Sequence, residues 1–317
     1  MQLSKKKTKD AFESGKGLKQ ELRTEARWCY LMLALPIIGF CVFTVYPILW
    51  TFRWSFYSYS GIKSQASFIG LRNFISLFTT DLTYWKTWIT TLEFAVCKVP
   101  IELALAMILA LILSKDIKAK GFFRSAYYMP CVISVAIIGV IMSNLFGYYG
   151  IINYGLAKLG IIQDGIDWFA SKGTSLAVLV IGSVWNTFGT NVMYFMAALA
   201  NVPLDVYESA ALDGATGAQS FFKITLPLIL PVGKIILLLA IIGTLGTNEY
   251  VLVVANGAPA GKTNTVMSYM TQQFVPGFAG ANPPIGYGCA MGLITSVLFI
   301  CIALMQNKLN KKMDQVS

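Results

Sequence analysis

The sequence predicts an all-α membrane protein of six transmembrane helices, and three observations support that fold class. Of the 317 residues, 56% are hydrophobic and only 13% are charged, whereas soluble domains carry about 25% charged residues. Six stretches hold the roughly 20 predominantly apolar residues that cross a bilayer as a helix. The chain lacks the alternating segments of about ten residues that are typical of membrane β-barrel strands.

The predicted spans follow one another with short connections. They cover residues 28–52, 89–113, 126–147, 175–199, 232–255 and 286–306. The first is too long for the apolar core of a signal peptide, so we expect it to remain in the protein. Aromatic residues such as Trp50, Trp54, Trp85 and Trp88 stand near span ends, as is typical of the membrane–water interface. The chain is therefore divided into a basic tail at 1–27, a transmembrane domain at 28–306 and a second tail at 307–317.

The basic residues predict which side of the membrane each loop faces. With both termini on one side, sixteen Lys and Arg residues lie on that side and seven on the other, while Lys98 and Lys234 fall within or at the ends of spans. Because membrane proteins collect basic residues on the cytoplasmic side, we expect both termini to be cytoplasmic. This bias accounts for the net charge of +10 without a nucleic-acid partner. The first tail either marks topology or contacts anionic lipid headgroups.

Composition also excludes several function classes. The chain has no histidine, which excludes Ser-His-Asp catalysis and histidine metal sites. Its six cysteines are scattered without a C-x-x-C pair, so we interpret them as small buried apolar side chains. We predict no catalytic residue, no metal site and no cofactor bound by this chain, and an intramembrane enzyme lacks a credible set of residues.

A polar loop at 201–231 separates the fourth and fifth spans and should face the cytoplasm. Pro203 ends the fourth span, and Asp205 precedes Glu208 by three residues, which predicts a capping box for a short helix. Gly214 stands where that helix should stop, because glycine accepts the left-handed conformation. A second short helix is predicted at 219–224, with Pro227 and Pro231 closing the loop. From the pattern alone, an ordinary connecting hairpin is an equal alternative.

The loop resembles the EAA loop of permease subunits in binding-protein-dependent ABC importers. Glu208-Ser209-Ala210 is followed by three residues and Gly214, and nine more residues lead to Ile224-Thr225-Leu226-Pro227, as in the family. Ser209 departs from the usual alanine. Five further segments are similar to the maltose-type sugar branch, and they are Tyr46-Pro47, Phe68–Phe74, Arg124–Pro130, Asn201–Tyr207 and Phe221-Phe222-Lys223. The resemblance covers most of residues 28–306.

This resemblance implies the type I importer permease fold, with the loop acting as a cytoplasmic coupling helix. The implied ATPase-coupling residues are Glu208, Ser209, Ala210, Ala211, Asp213 and Gly214. The implied partners are a second permease subunit, two copies of a cytoplasmic ATPase that holds ATP and magnesium, and an extracellular or periplasmic solute-binding protein. The implied cargo is a carbohydrate, and the implied location is the bacterial cell membrane.

One segment is similar to the sequence pattern of a nucleotide-binding P-loop. Residues 256–263 nearly spell a P-loop, but Asn256 occupies the first position, where the pattern needs glycine. We interpret the segment as an outer surface turn. If transport is ATP-driven, the ATPase must then be a separate subunit.

Polar residues inside spans are costly and suggest a cavity or a buried partner. Lys98 and Glu102 are four residues apart and share a helix face, so they are expected to neutralise each other, either as a structural pair or beside a cavity. The candidates for a substrate cavity are Asn186, Asn191, Tyr194, Asn248, Glu249 and Tyr250. Hydrogen bonding between helices is the alternative role for these side chains.

A secondary transporter driven by an ion gradient is the alternative function, with Glu93, Glu102 and Glu249 carrying ions or protons. The loop motif favours the importer, because a gradient-driven carrier has no use for a helix that docks an ATPase.

Overall fold

The computed structural model describes residues 25–115, 117–275, 277–280 and 283–314. The helices of this described chain are α1 Glu25–Trp54, α2 Arg72–Thr79, α3 Leu82–Ser114, α4 Lys120–Val132, α5 Val135–Leu145, α6 Ile151–Lys158, α7 Lys172–Ala200, α8 Leu204–Leu212, α9 Gly217–Leu245, α10 Glu249–Val254, α11 Val266–Phe274 and α12 Ile285–Asp314. A short antiparallel hairpin, β1 Tyr57–Ser58 and β2 Ser67–Phe68, lies between α1 and α2.

Five of these helices, α1, α3, α7, α9 and α12, are long and apolar enough to cross a membrane, and the bent pair α4–α5 would be a sixth span. The prediction of one continuous helix at 126–147 is therefore wrong, because α4 and α5 meet at 95°. Ile133 and Ser134 between them have extended backbone angles. Pro130 lies inside α4, which continues to Val132, so the proline does not itself end the helix.

The fifth span also differs from the prediction of 232–255. α9 ends at Leu245, the backbone is non-helical around Gly246–Asn248, and α10 begins at Glu249. At its other end α9 begins at Gly217 and absorbs the short helix predicted at 219–224. Pro227 and Pro231 lie inside α9 and do not close the loop. A π-helical turn at Phe221–Thr225 precedes Pro227, and such turns shift the hydrogen-bond ladder where a donor is missing.

α3 and α7 form the centre of the bundle. α4 packs on α7, α5 packs on α10, and α9 contacts α3, α7 and α12. Gly189 makes the α4–α7 contact possible, because a Cβ there would lie 2.7 Å from the Tyr127 carbonyl oxygen. Close helix packing at small residues is usual in membranes. Two buried clusters result, one around Phe94, Ile138 and Val178 and the other around Ala106, Val192 and Ile236.

The two chain ends differ from the predicted boundaries. α1 begins at Glu25, within the predicted tail 1–27, and the earlier residues lie outside the described chain. Its most apolar stretch is not buried by the rest of the protein. α12 continues to Asp314, well into the predicted second tail.

The interpretation of the cysteines as buried side chains is wrong for most of them. Cys289 is buried and Cys131 is half-buried, whereas the other four are exposed on the protein. Those four are Cys29, Cys41, Cys97 and Cys301. They lie on α1, α3 and α12, whose outward faces are apolar. Because a free cysteine is a small apolar side chain, it suits a surface that faces lipid or another subunit.

Candidate functional site

A polar cavity of ≈ 620 Å³, here called the central cavity, lies between α3, α7, α9 and the start of α10. All six predicted cavity residues line it, and they are Asn186, Asn191, Tyr194, Asn248, Glu249 and Tyr250. The break between α9 and α10 forms one wall, where Gly246, Thr247 and Asn248 bring backbone to the surface. Non-helical backbone at membrane depth is tolerated where it lines such a cavity.

The six side chains are used differently. Asn191 is 6% exposed, and its amide donates to Glu102. The Tyr250 hydroxyl is buried and donates to the Val178 carbonyl oxygen at 3.4 Å. Asn186 Nδ2 donates to the Pro130 carbonyl oxygen at 2.8 Å, which ties α7 to the bent pair. These three residues therefore form hydrogen bonds between helices, which is the alternative role that the sequence analysis gave for them.

The side chains of the other three residues make no hydrogen bond to another helix among the described residues. Glu249 and Tyr194 are exposed to the cavity. Asn248 Oδ1 is buried and has no hydrogen-bond partner among the described residues. A buried polar atom without a partner is costly, which makes Asn248 a candidate position for a hydrogen bond from a ligand.

A buried ion pair adjoins the cavity. Lys98 Nζ lies 3.3 Å from Glu102 Oε2, and the two side chains are 4% and 2% exposed. Glu102 Oε1 accepts from Thr187 Oγ1 at 2.6 Å and from Asn191 Nδ2 at 2.7 Å. Lys98 Nζ also donates to Thr244 Oγ1 at 3.1 Å. The pair thus joins α3, α7 and α9 and also contributes to the cavity lining.

Sequence reasoning missed the hydroxyl residues of the cavity. Ser183, Thr187 and Thr190 line it together with the predicted α7 residues. Their spacing with Asn191 and Tyr194 repeats on one helix face. A count of polar residues at helical spacing within the fourth span would have found this face.

The predicted coupling residues lie on α8 and the turn after it. Gly214 has φ +76°, which confirms that it ends the helix in the left-handed conformation. The predicted capping box at Asp205 and Glu208 is wrong, because α8 is preceded by Pro203 with no side-chain cap. A capping box occurs instead at Thr216 and Gln219, where α9 begins.

The structure sorts the coupling residues by exposure. Glu208, Ser209, Ala211 and Asp213 are exposed, whereas Ala210 is buried against the rest of the chain. Ala210 therefore does not belong to the outward surface that the sequence suggested. Leu204 and Leu212, which sequence reasoning missed, are 67% and 90% exposed. Their spacing from Glu208 places them on its face of α8.

α8 is held against α9. Tyr207 Oη lies 3.0 Å from Thr225 Oγ1 in a hydrogen bond between the two helices. Thr225 is buried, so this contact fixes the angle between the helices.

The segment at 256–263 is a turn between α10 and α11, as interpreted from the sequence. Thr263 is buried, and its Oγ1 donates to the Ala258 carbonyl oxygen at 2.7 Å. In a P-loop this hydroxyl would be free to reach a metal ion.

A bundle of apolar helices around a polar cavity, with an exposed short helix at one end, defines the class of membrane transport subunits. Residues 102–315 match the family described as binding-protein-dependent transport system inner membrane component. The chain belongs to this family and is a multi-pass permease subunit of an ABC importer. The comparisons give no support for the alternative function, a secondary transporter driven by an ion gradient.

Named relatives and solved structures agree with this assignment. The probable ABC transporter permease protein YesP of Bacillus subtilis is 34% identical over 85% of this chain and 88% of its own length. The arabinooligosaccharides transport system permease protein AraP of Bacillus subtilis is 32% identical over 89% and 88%. A crystal structure of a bacterial ABC transporter involved in alginate import has a chain with the same fold, with a TM-score of 0.76, 22% identity and coverage of 89% and 94%.

Proposed function

We propose that this permease subunit moves a sugar or oligosaccharide through the central cavity. The observation that carries the proposal is the cavity itself, which combines amides, an acid, an aromatic ring and an orphan acceptor at Asn248. Amide and hydroxyl groups exchange hydrogen bonds with sugar hydroxyls, and a volume of ≈ 620 Å³ suits a small ligand. Two relatives have names that support a saccharide cargo. They are AraP and the lactose transport system permease protein LacF of Rhizobium radiobacter, which is 31% identical over 80% of this chain and 86% of its own length.

The proposal includes the partners that such a subunit needs. A loaded solute-binding protein delivers the cargo at the end of the bundle opposite α8, and a second permease subunit completes the pathway. Two copies of a cytoplasmic ATPase bind ATP and magnesium and supply the hydrolysis that drives transport. The ATPase docks on Glu208, Ala211 and the adjoining surface of α8, with both termini of the chain on the same side.

Coupling follows from the connection between α8 and the cavity. Gly214 and the capping box at Thr216 join α8 to α9 by one short turn. α9 then runs to Leu245, where it meets the cavity wall. A shift of α8 caused by closure of the ATPase therefore moves α9 and shifts the population between outward-open and inward-open cavities.

The test is uptake by proteoliposomes that contain the assembled importer, with binding protein loaded from a panel of neutral sugars. We expect Asn248→Ala and Glu249→Gln each to lower the uptake rate at saturating binding protein by about threefold to tenfold, as for loss of one hydrogen bond. Asn144→Ala removes an exposed amide outside the cavity and should leave the rate unchanged. Unaltered rates in both cavity variants for every transported sugar would count against the proposal.

A further inference from the structure

A second cavity, here called the lysine pocket, lies at the end of the bundle away from α8. Its volume is ≈ 640 Å³, and it shares no lining residue with the central cavity. Its walls are the N-terminal part of α3, the start of α7, the turn before α11 and α11 itself. Lys86, Lys172 and Lys262 bring three ammonium groups to it from three separate segments.

Two of these lysines lack an acidic partner. Lys172 is paired with Glu93, whereas Lys86 and Lys262 have no salt bridge within the described part of the chain. Asp81, the other nearby acid, does not line the pocket and accepts hydrogen bonds from the hydroxyls of Tyr269 and Tyr287. The lysine pocket therefore carries uncompensated positive charge.

Tyr269 also forms part of the pocket wall. Its burial, together with the neighbouring Asp81 carboxylate, raises the pKa of Tyr269 to about 12. The hydroxyl therefore stays protonated at neutral pH and continues to donate to Asp81. This hydrogen bond holds α11 beside the start of α3, and through it the Asp81 carboxylate is bound to Tyr269.

The turn that presents Lys262 is held in place by three hydrogen bonds. Asn264, 6% exposed, donates to Gln272 Oε1 at 2.8 Å, and Gln272 Nε2 donates to Asn256 Oδ1 at 3.1 Å. Thr90 Oγ1 donates to the Lys262 carbonyl oxygen at 3.3 Å, which joins the turn to α3. A site formed in advance loses less entropy when it binds a ligand.

We propose that the lysine pocket binds a carboxylated saccharide, with a uronic acid unit between Lys86 and Lys262. Ammonium groups form strong charge-assisted hydrogen bonds with carboxylates. The amide of Gln273 and the hydroxyl of Thr83 match the donors and acceptors of sugar hydroxyls. The concave shape and volume suit a small molecule better than the flat edge of a protein.

The experiment measures binding to the full chain alone in lipid nanodiscs by isothermal titration calorimetry. The probe is digalacturonate, and its dimethyl ester has the same sugar framework without the charges. We expect digalacturonate to bind, the ester to bind about tenfold more weakly, and added salt to weaken the binding. The double variant Lys86→Gln/Lys262→Gln should lose about tenfold in affinity, from two partly solvated charge contacts.

Matched variants distinguish binding in the lysine pocket from nonspecific charge attraction and from binding in the central cavity. Lys158→Gln removes an exposed lysine outside the pocket and should leave affinity unchanged. Uptake of neutral sugars reports on the central cavity and is measured separately from this titration, so a failure here is distinct from a failure of the central-cavity proposal. Equal binding of the ester, equal binding of inorganic phosphate, or no effect of the double variant would overturn the proposal. The proposal would also be overturned if the double variant bound digalacturonate normally and weakened only the docking of a solute-binding protein.

Discussion

At the residue scale, the Lys98–Glu102 pair shows how a charge is tolerated inside the bundle. Glu102 is 1% exposed as a residue, and its carboxylate is surrounded by Lys98, Thr187 and Asn191. Removal of one partner from a buried pair leaves an uncompensated charge, which costs about 3–5 kcal/mol. Removal of both charges avoids that cost. We therefore expect each charge of the pair to be tolerated only while the other is present.

The first prediction concerns this dependence. Glu102→Gln keeps a side-chain oxygen for Thr187 and Asn191 but leaves Lys98 buried without its counter-charge, so we expect the midpoint of thermal unfolding to fall by several degrees. Lys98→Met/Glu102→Gln should recover most of the loss. Unfolding is followed by tryptophan fluorescence of the purified chain in detergent.

A matched control comes from the other ion pair. Glu93 and Lys172 have side chains that are 43% and 35% exposed, and pairs of this kind contribute at most about 1 kcal/mol. Glu93→Gln should therefore shift the midpoint much less than Glu102→Gln. If the double variant proves as unstable as the single one, the role of charge compensation is refuted.

At the element scale, the sequence predicts long apolar helices well and their interruptions poorly. α3 and α7 were found because runs of apolar residues are long enough to span a membrane. The 95° bend between α4 and α5 and the break around Gly246–Asn248 depend on contacts with other helices, which no single segment encodes. Two predictions that involved prolines are wrong. The helix predicted through Pro130 breaks soon after it, whereas Pro231, predicted to close a loop, lies inside a continuous helix.

The same limit applies to the candidate site. The six cavity residues could be predicted because polar side chains inside apolar spans are conspicuous. Their separate roles could not be predicted, since Asn191 meets Glu102 only after α3 and α7 pack. Likewise, the exposure of Leu212 and the burial of Ala210 depend on how α8 lies against α9.

The second prediction concerns α8 as a docking element. Glu208→Lys reverses a charge on its exposed face, so we expect the partner ATPase to dissociate and uptake to fall by about tenfold or more, because a reversed charge disrupts the electrostatic complementarity of an interface. The measurements are co-purification of the ATPase and uptake by proteoliposomes. The amount of this chain in the membrane should remain unchanged.

The control reverses a charge elsewhere. Asp164→Lys makes the same change on an exposed loop at the opposite end of the bundle and should leave ATPase attachment intact. Wild-type stimulation of the ATPase by the Glu208→Lys importer would contradict the role assigned to α8.

At the scale of the whole molecule, α8 and the two cavities lie at different levels along the bundle. α8 lies at one end, the central cavity adjoins the middle of α3 and α7, and the lysine pocket lies at the other end. α9 connects the first two, because it begins one turn after α8 and ends at the cavity. The proposed coupling requires α8 to face the cytoplasm, where the ATPase lies.

The last prediction tests that orientation in a variant whose six native cysteines are replaced. Single cysteines are placed by Glu208→Cys, Ser317→Cys and Asp164→Cys, and spheroplasts are treated with a membrane-impermeant maleimide. Because basic residues favour the cytoplasmic side, we expect Asp164→Cys to react in intact spheroplasts. Glu208→Cys and Ser317→Cys should react only after permeabilisation. Labelling of Glu208→Cys in intact spheroplasts would place α8 outside, where no ATP-hydrolysing subunit could reach it.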